Sequence, residues 1–279
     1  MRKYIYFLVC LISFSCTTDN DLLEDQSIEN HEITVDQSIK SSNPVDLVKS
    51  FSSYSYYRGF DTYVRRFTVK VANLAFEKKV SVYHQKVDGN WEEIPMSYNY
   101  SIGTDEIWTL DYQNTGSRIY DDEFVIRYEV NGNVYWDNNN GINYSMSRHE
   151  GAFFAIEDLN VSADDNYSAL FPRYGTDQSQ FNVVVDVRNI APDKDVSVVY
   201  TYDGWQTKFN FSLDYNPYWY SGYQQAIVSP NVNNLERWSG YVYDVPADIT
   251  EIVYAVVYKV NGETYWDNNY GKNYTVRKP

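Results

Sequence analysis

Two stretches of this chain are nearly the same. Asn131–Tyr144 (NGNVYWDNNNGINY) and Asn261–Tyr274 (NGETYWDNNYGKNY) share ten of fourteen positions at an offset of 130. Upstream, Val71–Val82 (VANLAFEKKVSV) matches Val187–Val198 (VRNIAPDKDVSV) at an offset of 116. Asp88-Gly89-Asn90-Trp91 pairs with Asp203-Gly204-Trp205, and Trp108 with Trp238, so the landmarks keep their order in both halves. Self-similarity of this kind makes the chain a tandem of two modules that share one architecture. The offset changes because Trp91 to Trp108 spans 17 residues and Trp205 to Trp238 spans 33, which gives module two an insertion of about sixteen residues.

The periodicity is that of strands. Phe124, Ile126, Tyr128 and Val130 alternate with Val125, Arg127 and Glu129, and Ile252, Tyr254, Val256, Tyr258 and Val260 repeat the pattern. Each run ends in Asn-Gly, at Asn131-Gly132 and Asn261-Gly262. That pair is the strongest short hairpin signal, because a type I′ turn needs positive φ at both central residues. No stretch of comparable length keeps a helical period. Short strands separated by turns over about 105 to 120 residues per module predict antiparallel β-sandwiches, joined near Ser147–Ala152.

The 279 residues carry 23 Lys+Arg against 38 Asp+Glu, a net charge of −15. That balance argues against nucleic acid, heparin-like polyanions and anionic membrane surfaces, each of which needs a basic patch. A neutral ligand remains compatible. Aromatic residues reach 18%, with 29 Tyr, which exceeds what a core requires and predicts aromatic surface outside it.

Arg2 and Lys3 precede an apolar run from Tyr4 to Phe14 that closes on Ser13-Phe14-Ser15-Cys16. A basic start, a greasy stretch too short to span a bilayer and small residues before the cut describe an export signal. A Cys at this boundary resembles a bacterial lipoprotein signal, in which Cys16 becomes the acylated first residue; Phe14 departs from the usual small residue, and an ordinary signal peptide is the alternative. The mature chain then has no second thiol for a disulfide. Residues 17–43 are acidic and polar and read as a flexible tether. Acidic residues soon after the lipidated Cys also resemble surface-export signals of Gram-negative polysaccharide users.

Trp136-Asp137-Asn138-Asn139-Asn140-Gly141 follows a hairpin strand, so its polar run is a loop at the sandwich edge. Asn amides offer an acceptor and two donors, which matches vicinal hydroxyls. Gly141 permits a tight bend, and a flat ring beside it supplies an apolar platform. Stacking plus edge hydrogen bonds make a sugar site that needs no charge. The competing reading is that the Trp packs in the core and the Asn-Gly run is turn chemistry. Tyr135 and Trp136, neighbours on a strand, face opposite sides, and one of them packs inward.

Taken together, NLAFEKKVSV, DG-N-W and WDNNNGxNY resemble carbohydrate-binding module family 21, which comprises starch-binding modules of fungal glucoamylases and glycogen-targeting subunits of protein phosphatase 1. The resemblance covers roughly residues 45–147 and 155–276. It implies an all-β chain of two tandem immunoglobulin-like β-sandwiches that bind α-1,4-glucan without cleaving it. These follow a signal peptide (1–15) and an acidic tether (16–44). By resemblance, the principal site falls on Trp91, Trp136, Asn138, Asn139 and Asn143 in module one and on Trp205, Trp266, Asn268, Asn269 and Asn273 in module two. A second family site falls on Phe76 and Tyr98 in module one. Module two has Pro192 in place of Phe76, which puts its second site in doubt. Its insertion, Phe209 to Tyr223, holds seven aromatics in fifteen residues. It reads either as a replacement platform led by Trp219 or as a self-packed hairpin.

No enzyme, cofactor or metal is implied. His31, His84 and His149 are far apart, Asp121-Asp122-Glu123 reads as a solvated turn, and Asp164-Asp165-Asn166 lacks a calcium-loop continuation. Phosphatase docking does not transfer either. It uses a short basic-hydrophobic motif ending in Phe, which the tether lacks, and Lys79-Val80-Ser81-Val82 has no final Phe. The expectation is a lipoprotein anchored through Cys16, exposed at the outer membrane, that captures starch-like or glycogen-like glucan for glycan-degrading enzymes or an importer. The rival is an adhesive surface protein whose sandwiches contact other proteins.

Overall fold

The computed structural model describes residues 43–86, 88–115, 122–221 and 225–279. The expected signal peptide, nearly all of the tether and Cys16 lie outside the described residues. Among the described residues there is no α-helix, only strands, turns and one 3₁₀ turn at Asn139–Gly141.

Module one contains β1 (Val45–Tyr57), β2 (Phe60–Ala72), β3 (Lys78–Gln85), β4 (Trp91–Pro95), β5 (Ser97–Ile102), β6 (Asp105–Thr115), β7 (Asp122–Val130), β8 (Asn133–Asp137), β9 (Tyr144–Met146) and β10 (Gly151–Phe154). One antiparallel sheet runs β10-β1-β2-β6-β5, the other β4-β3-β7-β8 with β9 beside β7. Val45, Leu47, Phe67 and Val69 from the first sheet meet Val80, Val82, Phe124, Ile126 and Tyr128 from the second in one buried core. The alternation in β7 therefore means what a period of two should mean: one face inside, one outside. At the hairpin, Asn131 and Gly132 have φ of 52° and 75°, the left-handed pair a type I′ turn requires.

Module two repeats the plan. Its strands are β11 (Val161–Ala163), β12 (Ala169–Pro172), β13 (Gln178–Arg188), β14 (Lys194–Thr201), β15 (Phe209–Ser212), β16 (Asp214–Asn216), β17 (Tyr218–Ser221), β18 (Gln225–Val228), β19 (Leu235–Pro246), β20 (Glu251–Val260), β21 (Glu263–Asp267) and β22 (Tyr274–Arg277). One sheet is β11-β13-β19-β16 with β12 beside β13, the other β15-β14-β20-β21 with β22 beside β20. The repeated upstream motif proves structural. Lys78 donates to Asn73 and pairs with Glu106 at 2.8 Å, and Glu106 also accepts from the Trp108 indole. Lys194, Asn189, Glu236 and Trp238 reproduce that arrangement.

The insertion does not start at Phe209 as expected, because β15 and β16 pair with β14 and β19 as β4 and β5 pair with β3 and β6. The inserted strands are the pair β17–β18, which packs on module one. Trp219, Ile227 and Leu235 form a buried cluster with Phe51, Ala152 and Phe154. Asn231 donates to the carbonyls of Glu150 and Ala152 at 2.8 and 2.7 Å, satisfying backbone groups beside the edge strand β10. Beneath the hairpin, Arg237 is held by both oxygens of Asp186 (2.9 and 3.0 Å) and by Asp164 (2.6 Å), all three buried. Arg66 of module one reaches the same Asp164 at 3.4 Å.

The expectation that Trp219 forms an exposed platform is therefore corrected. Its side chain is 2% exposed, because the hairpin buries its apolar face against the neighbouring module rather than against itself.

Candidate functional site

The outer face of the β4-β3-β7-β8 sheet carries the first tryptophan pair. In β8 the register sets Trp136 opposite Arg127 and Tyr135 opposite Tyr128. Tyr135 consequently packs on the core, and Trp136 stands outside with 42% of its surface exposed. Trp91 opens β4 and stacks on Tyr83 at 5.4 Å and 19°. Trp136 meets the same Tyr83 edge-on at 5.8 Å and 61°. Tyr83 thus bridges two indoles that lie 45 residues apart in sequence. Sequence reasoning missed this ring, although its place in the β3 alternation, outward with Ser81, was the available signal.

Charged groups border the pair without crowding it. The Arg127 guanidinium lies 5.8 Å from the Trp136 ring centre and is tied to Glu93 (3.0 Å) and Glu129 (2.8 Å). The hydroxyl of Ser81 donates to Glu93 at 2.6 Å, and that bond, helped by Arg127, holds the Glu93 carboxyl below its ordinary pKa.

Asp137 faces inward, as its place after Trp136 requires. Its carboxylate accepts the Leu47 N–H of β1 at 2.6 Å and the Tyr144 hydroxyl at 3.0 Å, so it fastens the loop and β8 to the opposite sheet. The Asn run then closes on itself. Asn138 Oδ1 accepts from the Gly141 N–H at 3.0 Å, and Asn139 Nδ2 donates to the Asn143 carbonyl at 3.0 Å. Asn143 Nδ2 donates to Glu123 at 3.1 Å. Asn139, Asn140 and Asn143 all have φ between 52° and 58°, a region that Asn tolerates far better than most side chains. Much of the Asn content is therefore turn chemistry. Asn138 Nδ2, Asn139 Oδ1 and Asn143 Oδ1 are amide atoms that these bonds leave over for another partner.

Module two builds the same loop. Asp267 accepts from the Ala163 N–H (2.7 Å) and from Tyr274 (2.8 Å), Asn268 accepts from Gly271 (2.9 Å), and Asn269 donates to the Asn273 carbonyl (3.2 Å). Trp266 is 47% exposed opposite Val257. The surroundings differ, however. Val199 stands where Tyr83 stands and Val257 where Arg127 stands, so an isopropyl group replaces the bridging ring and the cation. Trp205 is half-buried, in a turn at φ 70°, with its N–H donated to Thr201 at 3.1 Å. In the same turn Asp203 accepts from Thr207 N–H and Thr201, bonds that lower its pKa.

The expected second-site residues of module one, Phe76 and Tyr98, lie between β2 and β3 and on β5. Phe76 is 99% exposed in the β2–β3 turn. Tyr98 is half exposed and packs edge-on against Trp108 at 5.9 Å. Trp108 and Lys78, two residues after Phe76, both line a shallow cleft of about 340 Å³.

Comparison with known proteins finds the same two segments. The carbohydrate/starch-binding module (family 21) matches residues 61–147 and again residues 172–277. Human protein phosphatase 1 regulatory subunit 3B is 33% identical over 92 residues, which are 33% of this chain and 30% of that protein. Glucoamylase 1 of Rhizopus oryzae is 37% identical over 116 residues, 39% of this chain and 17% of the enzyme. The chain thus spans less than a third of the length of these curated relatives. Among solved structures, the starch binding domain of Rhizopus oryzae glucoamylase, in complex with β-cyclodextrin and maltoheptaose, is 34% identical. That match covers 39% of this chain and 98% of the domain, with a TM-score of 0.29. The carbohydrate binding module of the muscle glycogen-targeting subunit of protein phosphatase-1 is 20% identical, covering 43% of this chain and 76% of that one, with a TM-score of 0.31. With two matched segments that together make up more than half of its length, the chain belongs to carbohydrate/starch-binding module family 21.

Proposed function

We propose that this protein captures α-1,4-glucan, of the starch or glycogen type, without cleaving it. The carrying observation is the exposed Trp136 held at an angle to Trp91 by Tyr83. A glucose ring presents C–H groups on its faces and hydroxyls around its edge. An indole takes the faces, and the amide atoms left over in the Asn138–Asn143 loop take the edge. Two rings at an angle suit the curved face of a helical α-glucan better than a flat ribbon. Trp266 and Trp205, with Asn268 and Asn273, supply a second contact, with Val199 in the place of the bridging Tyr83.

One shallow site of this type binds weakly. Two on one chain make the second contact intramolecular, and avidity rises by roughly 10²–10⁴ where both reach one polymer. A lipid at Cys16 would hold this pair at the outer surface of the outer membrane, behind the acidic tether, where captured glucan is passed to glycan-degrading enzymes or an importer.

Affinity electrophoresis of residues 43–279 in gels holding amylopectin, glycogen, a cellulose derivative or no polymer tests the reading. Retardation by the two α-glucans alone is expected. Equal mobility in all four gels would overturn it and leave adhesion to other proteins. A Cys16→Ala variant tests the anchor: it should move from the membrane to the soluble fraction.

A further inference from the structure

The two Asn-rich loops share their backbone bonds but differ at two positions within the loop, Asn140 against Tyr270 and Ile142 against Lys272. In module two both of those residues turn to one side chain of module one. Tyr100, just past the bulge in β5, lies with its ring centre 6.4 Å from that of Tyr270, and Lys272 Nζ sits 5.4 Å from the Tyr100 ring centre. The Tyr100 hydroxyl donates to Asn269 Oδ1. Burial against module two raises the Tyr100 pKa, so the phenol keeps its proton and remains a donor.

The consequence is an asymmetry between the two loops. Asn269 is held at both ends, through Nδ2 by its own loop and through Oδ1 by the other module. Ile142, at the position of Lys272, is exposed to solvent. The Asn269 acceptor is thereby taken, and the loop bearing Asn268 and Asn273 is fixed from outside its own module. Fixing a polar loop in advance removes part of the ordering cost of binding.

We propose that Tyr100 is a positioning residue for the glucan site of module two, so that module one completes that site. The proposal rests on the glucan reading above. Substitutions at Tyr270 and Lys272 relative to module one are then adaptations for clasping Tyr100.

Retention on immobilised amylopectin by the 43–279 chain separates the possibilities. With module one disabled by Trp136→Ala, adding Tyr100→Phe should weaken retention about five-fold, the effect of one lost hydrogen bond. With module two disabled by Trp266→Ala, the same Tyr100→Phe should change nothing. Converting the loop by Tyr270→Asn with Lys272→Ile, in the Trp136→Ala background, should reproduce the loss without touching Tyr100. A melting curve accompanies each variant, and a purely structural role would lower stability and retention alike in both backgrounds. That outcome, or unchanged retention in the Trp136→Ala background, overturns the proposal. Failure of the unsubstituted chain to bind amylopectin would instead remove the glucan reading, and this inference with it.

Discussion

The Trp219 indole lies parallel to the Phe51 ring, 6.1 Å between centres and 3° between planes, although the two belong to different modules. The Arg237 guanidinium sits 4.2 Å from the centre of the same indole. Gly151 passes so close that a Cβ there would come within 2.0 Å of the Trp219 ring, and its φ of 78° disfavours a side chain as well. Trp219→Ala should therefore cost about 3–5 kcal/mol, the range for removing a large buried aromatic. Denaturant unfolding measures the loss. Polymer binding by the fraction still folded should be kept, since neither proposed site includes this ring.

Arg237→Met is expected to destabilise by a comparable amount. It would leave Asp186 buried without its cation and Asp164 with Arg66 alone, and breaking such a pair from one side costs about 3–5 kcal/mol. Removing the charges together, as Asp164→Asn with Asp186→Asn and Arg237→Met, should recover part of the loss in the same unfolding assay.

Trp136→Ala and Trp266→Ala should each lower polysaccharide retention, and the double variant should nearly abolish it with an unchanged melting temperature. Both rings are about half exposed and outside the cores, so the folded state has little to lose. Each single variant forfeits the avidity term, roughly 10²–10⁴ on a polymer that reaches both sites. A folded double variant that binds amylopectin normally would refute the site assignment.

Asp137→Ala should destabilise module one by about 1–3 kcal/mol, because the Leu47 N–H and the Tyr144 hydroxyl lose their acceptor. Glucan retention by module one should fall as well, measured in a Trp266→Ala background, since the Asn138–Asn143 loop hangs from this carboxylate. Asp137→Asn should retain more of both properties.

His149 gives a pH signature. Its Nδ1 accepts the Tyr54 N–H at 3.3 Å, and burial, followed by nearby Arg148, lowers its pKa below the ordinary 6.5. The unfolded chain takes up this proton near 6.5 and the folded protein only at lower pH. Between those two values the unfolded state binds more protons, so this contribution to stability is complete above 6.5 and declines as the pH falls through that window. Melting temperatures from pH 8 to pH 5 should drop less steeply for His149→Gln than for the parent chain.

Much of the architecture was legible in the residues because it rests on local rules. Alternation in Phe124–Val130 set the inner and outer faces, and Asn131-Gly132 set the turn. The repeat announced a second module with the same plan. Even the choice between Tyr135 and Trp136 was narrowed to opposite faces, one of which had to pack inward. One functional feature was not legible. Tyr83 between Trp91 and Trp136 needs four strands laid side by side, β4-β3-β7-β8, and its own neighbours in sequence say only that it faces outward.

The sequence alone determined the tandem, the strand period, the hairpin turns and the aromatic and amide residues available for a ligand, since each follows from neighbours a few positions apart or from comparing one half with the other. Tertiary structure alone decided which rings remain outside. Trp219 and Trp266 are the same residue type on similar strands, yet Trp219 meets Phe51 across the module boundary and is buried, while Trp266 stays exposed beside its Asn-rich loop. Burial is a property of the surface that arrives opposite a side chain, and here Phe51, part of that surface, lies 168 positions away.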